Sequence, residues 1–168
     1  MIVADANLLI NYVCATPFSD LARRVKAHDP DWVSPHLWKA EVLNGLLIMQ
    51  RAGLLSLDRA ILAFHNAAAA TVVGVHGDDP DAILSAAHAS KLTAYDATYV
   101  VLARSLRFLL ITEDKQILRA CPDVARSMRQ FLSPPQPPPA VREKPGTYLS
   151  DFDKTVKRLT PAKKGARK

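Results

Sequence analysis

Apolar positions along this chain recur in two rhythms. Ile2, Val3 and Ala4 form a short apolar run closed by Asp5, the pattern of a strand buried on both faces. Leu8, Leu9, Tyr12 and Val13 then recur at helical spacing, which predicts a helix over residues 7–13. Thr16-Pro17 breaks it, and Leu21, Ala22 and Val25 share one face of a second helix, 18–28. After the turn Asp29-Pro30-Asp31, Trp32 and Val33 read as a short strand. Ser34 reads as an N-cap with Pro35 in the first helical position. The helix over 35–51 is apolar almost all round, which predicts heavy burial, and Gly53 ends it. Ser56 caps a helix over 57–70, and the β-branched run 71–75 predicts a strand closed by Gly74, Gly77 and Asp78. Asp79-Pro80 opens a helix to residue 90 or 91, and Thr93 opens another through 106. Residues 108–111 form an apolar strand, and Thr112 opens a helix to residue 120. Residues 129–132 read as one more edge strand.

This alternation predicts an α/β fold, a central parallel sheet of about four to five strands with helices on both faces. Ligand sites in such sheets lie at the carboxyl ends of the strands. Asp5 closes the first strand, and Asp114 follows the strand 108–111. Asp96 opens the helix before that strand, and Glu41 lies on the helix after the second one. All four carboxylates can therefore converge at one end of the sheet. Each also has a plainer reading. Asp5 can cap the helix that follows it. Glu41, within about 40° of Leu37 and Ile48 on its helix, can face an arginine. Asp96 forms a capping-box pattern with Thr93. Asp114 can simply favour the dipole of a helix capped by Thr112, while its neighbour Glu113 points to solvent. Jointly the four make a stronger case, because like charges gathered in one buried place repel, and a multivalent cation relieves this. Oxygen-only ligands suit Mg²⁺ or Mn²⁺, which assist phosphodiester hydrolysis.

Charge changes the picture only in its distribution. The 168 residues carry a net charge of +6, yet residues 1–133 hold thirteen basic and thirteen acidic side chains. From Pro134 onward nine basic residues face three acidic ones. The excess therefore belongs to a tail, 133–168, separate from a body of residues 1–132. The tail begins with the proline-rich stretch Pro134–Pro139, which predicts a stiff linker. Phe152, Val156 and Leu159 predict one short helix at about 151–159. Its basic end is either a nucleic-acid contact or a solubilising terminus. No apolar run approaches the roughly 18 residues of a membrane span, and no secretion signal opens the chain. Cys14 and Cys121 lack partners at metal-ligand spacing, so buried thiols in the cytoplasm are expected. The five histidines, His28, His36, His65, His76 and His88, share no motif, and no Gly-rich phosphate loop occurs.

The segments Asp5-Ala-Asn-Leu-Leu9, Ala40-Glu41-Val-Leu-Asn44, Tyr95-Asp96-Ala-Thr-Tyr-Val-Val-Leu-Ala103 and Leu110-Ile-Thr-Glu-Asp114 resemble the four motifs of PIN domains, most closely those of VapC-type toxins. The resemblance covers about residues 1–132, in the same order and spacing. It implies a Mg²⁺- or Mn²⁺-dependent endoribonuclease acting on RNA, a homodimer, and inhibition by a VapB-type antitoxin. By motif position it implies Asp5, Glu41, Asp96 and Asp114 as the catalytic, metal-binding cluster, with Asn7 and Thr112 as supporting polar residues. Glu113 is an extra acid beside the fourth motif, and the tail has no counterpart in the compact family domain. A module of this fold that only binds nucleic acid or a protein partner, with the basic tail as main contact, is the alternative.

Overall fold

Ile2–Ala4 (β1) lies at the centre of the sheet in the computed structural model, which describes residues 1–73 and 79–133. Ala6–Val13 (α1) follows, then Ser19–His28 (α2), Trp32–Ser34 (β2), Trp38–Arg51 (α3), Leu57–Ala70 (α4) and Thr71–Val73 (β3). The second half holds Pro80–Ser90 (α5), Ala94–Leu106 (α6), Leu110–Ile111 (β4), Lys115–Ala120 (α7), Ala125–Arg126 (β5) and Met128–Leu132 (α8). The sheet order is β3-β2-β1-β4-β5, with every pairing parallel. The chain builds outward from β1 in one direction, then returns to build in the other. The fold is α/β, a five-stranded parallel sheet flanked by helices, as the alternation predicts.

Strands β1, β2 and β4 are buried along their length, and each stops at a polar residue, Asp5, Ser34 and Thr112. Ile2, Val3, Ala4, Leu110 and Ile111 are all buried. Ser34 extends this rule. Its hydroxyl donates to the Ala4 carbonyl at 2.7 Å and lies 3.2 Å from the Thr71 hydroxyl. Ser34 is therefore the last residue of β2 and not a helix cap. A turn intervenes, and α3 starts at Trp38 without a side-chain cap.

Helix α3 is less buried than its composition suggests. Trp38, Val42 and Leu46 form its inward stripe, while Leu43, Leu47 and Ile48 are exposed. It packs on α1 and α4, so one stripe suffices, and the remaining apolar side chains face outward. Gly45 marks the close approach to α1. A Cβ there would stand 2.5 Å from Ile10 Cδ1. Gly53, at φ 72°, ends the helix as expected.

The strand over 108–111 is shorter than its apolar run. Helix α6 ends on Arg107 in the left-handed region, and the Phe108 amide returns to the Ala103 carbonyl at 3.0 Å. That closure holds Phe108 outside the sheet. The edge strand expected at 129–132 is instead α8. Ser127 and Gln130 close a full capping box at its start, a helix signal that outweighs a short apolar run. The true edge strand is Ala125–Arg126, too short to show any alternation. Cys14 and Cys121 are free and buried. No helix among the described residues is long and apolar enough to cross a membrane. The expectations for residues 74–75, for the polyproline stretch and for the helix at 151–159 fall outside the described residues.

Candidate active site

Asp5 is the first residue past β1, and Thr112 is the first past β4. These strands are neighbours, and their register pairs Ala4 with Ile111. Asp5 and Thr112 therefore meet at the carboxyl ends, where the strand order reverses direction and open sheets form their crevice. The Thr112 hydroxyl donates to Asp5 Oδ2. The Asn7 amide donates to the same oxygen at 2.6 Å and to Thr112 Oγ1 at 3.1 Å. Asn7 Oδ1 accepts from the Glu113 amide at 3.2 Å, which ties the loop after β4 to α1. The Asp5 side chain makes no capping bond to α1. It is only 7 % exposed. Burial pushes its carboxyl up to about 7, the Thr112 hydrogen bond opposes this, and the Glu41 and Asp114 charges add to it.

Glu41 lies in the first turn of α3, half-buried. Its Oε2 accepts from the hydroxyl of Tyr99 on α6. Burial raises its pKa, the Tyr99 bond lowers it, and the Asp96 charge raises it. Burial foremost, then the Asp5 and Glu41 charges, push the Tyr99 hydroxyl far up, so it acts as a fixed donor. Asp96 follows the N-cap Thr93 of α6. Thr93 accepts from the Asp96 amide at 3.1 Å and donates to Asp96 Oδ2 at 2.7 Å.

Asp114, and not Thr112, caps α7. Its Oδ1 accepts from the Gln116 and Ile117 amides at 2.6 and 3.1 Å. Thr112 cannot serve as that cap, because its hydroxyl is turned to Asp5 and accepts from the Asp114 amide at 2.9 Å. Glu113 does not point to solvent. Its Oε1 accepts from the Met128 amide at 2.9 Å, so it holds the start of α8.

Asp5 thus feels the charges of Glu41 and Asp114, and Glu41 feels that of Asp96. Among the described residues the ion pairs are Met1–Asp29, Arg23–Asp20 and Arg104–Asp123. None of the four carboxylates is neutralised by an arginine or lysine there. The described residues also hold no ready-made cage of three or more His, Cys, Asp or Glu side chains. The donor set still fits a hard cation that keeps most of its water. Mg²⁺ needs only one or two direct carboxylates and reaches others through water.

A sequence model of the PIN domain family matches residues 2–121. The chain is a PIN domain protein. PIN domains are typically nucleases that use divalent metal ions. The crystal structure of PAE2754 from Pyrobaculum aerophilum resembles this PIN domain with a TM-score of 0.62 at 24 % identity. The likeness covers 77 % of this chain and 92 % of that one, and it shows a shared fold. No curated protein matches the chain.

Sequence reasoning does not single out Tyr99 in this PIN domain. An aromatic residue inside an apolar helix reads as core, and Tyr99 is indeed buried. The available signal was its spacing. It lies three residues after Asp96, on the same face, and a buried tyrosine hydroxyl requires a partner.

Proposed function

We propose that this PIN domain is a metal-dependent endoribonuclease that hydrolyses RNA phosphodiester bonds, and the toxin of a type II toxin–antitoxin pair. The observation that carries the reading is Asp5, a buried carboxylate without a basic partner whose pKa neighbouring carboxylates push further up. That is an arrangement a cation would relieve. Asp5 and Asp96 are the direct ligands of Mg²⁺ or Mn²⁺, and Glu41 and Asp114 complete the cluster or act through water. When bound, the cation would supply a more acidic water and offset charge on the leaving oxygen. Asn7 and Thr112 fix Asp5 Oδ2 at the strand ends, and Tyr99 fixes the Glu41 carboxylate. Purified protein should cleave RNA with Mg²⁺ or Mn²⁺ and stop with chelator, and Asp5→Ala or Asp96→Ala should abolish cleavage. Wild-type rates in either variant would refute the assignment.

The partners follow from the same reading: an RNA substrate, a VapB-type antitoxin and a second copy of the chain, all in the cytoplasm. Support for a protein partner comes from an apolar groove of about 280 Å³ between α3 and α4, lined by Leu43, Leu47, Leu57 and Ile61 among others. The basic tail, 133–168, is a separate segment in this reading.

A second reading rests on the caps. Thr93 engages the Asp96 carboxylate and Asp114 holds α7, which are roles a non-catalytic nucleic-acid or partner-binding module would also need. Such a module binds RNA through its tail without metal and cuts nothing. Mn²⁺ titration of the full chain separates the two: the nuclease binds the ion and loses it in Asp5→Ala, whereas the module binds none.

A further inference from the structure

A second cleft of about 690 Å³ opens beside the carboxylates and takes no part in the account above. Its walls are His36 and Leu37 before α3, Ile83 and Leu84 on α5, and Tyr95 and Thr98 on α6. Two stretches of chain tie it to the acidic site. Tyr95 is the neighbour of Asp96, and the Glu41 amide donates to the Leu37 carbonyl at 3.3 Å, one helical turn away. On α6, Asp96 and Tyr99 lie three residues apart on the stripe that meets Glu41. Tyr95 and Thr98 lie three apart on the adjacent stripe, which lines the cleft.

The chemistry of the two neighbours differs sharply. The acidic site is charged and oxygen-rich, while the cleft is lined mainly by apolar atoms and carries no carboxylate among these six residues. Tyr95 is 65 % exposed and Leu84 64 % exposed. Exposed aromatic and aliphatic surface of this kind is costly unless something covers it. A nucleotide has both characters at once, a charged phosphate and a flat, largely apolar base. Bases become available for stacking only where they are unpaired.

We infer that this cleft receives an unpaired base of the substrate, stacked on Tyr95, next to the phosphate that a cation at the carboxylates would hold. The inference rests on the ribonuclease reading above and adds to it the cleft and the side chain that take the base. His36 stands at the cleft as a polar group for the base edge, while the Thr98 hydroxyl donates to the Ala94 carbonyl at 2.8 Å and offers only an acceptor. Tyr95 acts here by binding, and it touches none of the reacting atoms.

The test uses the full chain and short oligoribonucleotides carrying 2-aminopurine at successive positions, with Ca²⁺ in place of Mg²⁺. Stacking should quench the fluorescence at one position, adjacent to the bond that Mg²⁺-supported cleavage identifies. Tyr95→Ala should remove that quench and weaken binding about tenfold, while Tyr95→Phe should keep both. A paired duplex carrying the same analogue should show no quench. Tyr95 is exposed, so its replacement leaves the core intact. Leu84→Asn provides an independent variant on the opposite wall, with the same expected loss. Wild-type protein without quenching, or quenching unchanged in both variants, overturns the inference. A Tyr95→Ala chain that halves its mass in light scattering yet keeps the quench assigns the cleft to a contact between copies, and overturns it too. Quenching without any metal-dependent cleavage would sink the ribonuclease reading and leave the base cleft standing.

Discussion

Burial of the Asp5 carboxyl makes the stability of the folded domain depend on pH. That carboxyl is raised from 3.8 to about 7 in the folded protein. Between those values the folded chain holds a proton that the unfolded chain has lost. Stability therefore falls as pH rises through this window, by about 4 kcal/mol when the shift is complete. Metal-free protein should lose melting temperature from acid to neutral pH, and Asp5→Asn should flatten most of that slope. The slope measured by calorimetry would contradict the account if the substitution left it unchanged. The places of three acids at element ends were legible in the sequence, because Asp5 and Asp114 follow apolar strands and Asp96 follows a helix cap. Their partners were less so. Thr112 reads as a cap, but its hydroxyl is turned to Asp5, a pairing made by residues 107 apart in the chain. Tyr99 reads as core because burial and hydrogen bonding coincide in it.

Elements with long periodic patterns were readable to within a few residues. Helices α2, α4, α5 and α6 follow their apolar stripes and caps. The short β5 and α8 were not, since two residues such as Ala125–Arg126 carry no period, and Ser127–Gln130 decides for a helix where composition alone suggests a strand. Helix α3 shows a different failure. Composition cannot say how many sides of a helix find partners within one domain. Trp38, Val42 and Leu46 are covered, but Leu43, Leu47 and Ile48 are not. If this face joins two copies of the chain, Leu47→Glu combined with Ile61→Glu should convert a dimer to a monomer of 18.4 kDa in light scattering. A dimer indifferent to both charges would exclude the α3–α4 face as that contact.

At the scale of the whole molecule, the order of strands carries the argument from sequence to chemistry. Because β1 sits between β2 and β4, its carboxyl end is the point where the sheet changes direction. The three acids Glu41, Asp96 and Asp114, far from Asp5 in sequence, are brought to bear on that point directly or through one another. Alternation of strands and helices was enough to foresee the parallel sheet, but not which strand would be central. The central claim is that these carboxylates exist to hold a divalent cation. Calorimetric titration of Mn²⁺ into the wild-type chain and into Asp5→Asn, above neutral pH, tests it most directly. The account predicts saturable binding to the wild type that Asp5→Asn abolishes while remaining folded. Equal binding by both proteins, or none by the wild type, would contradict it.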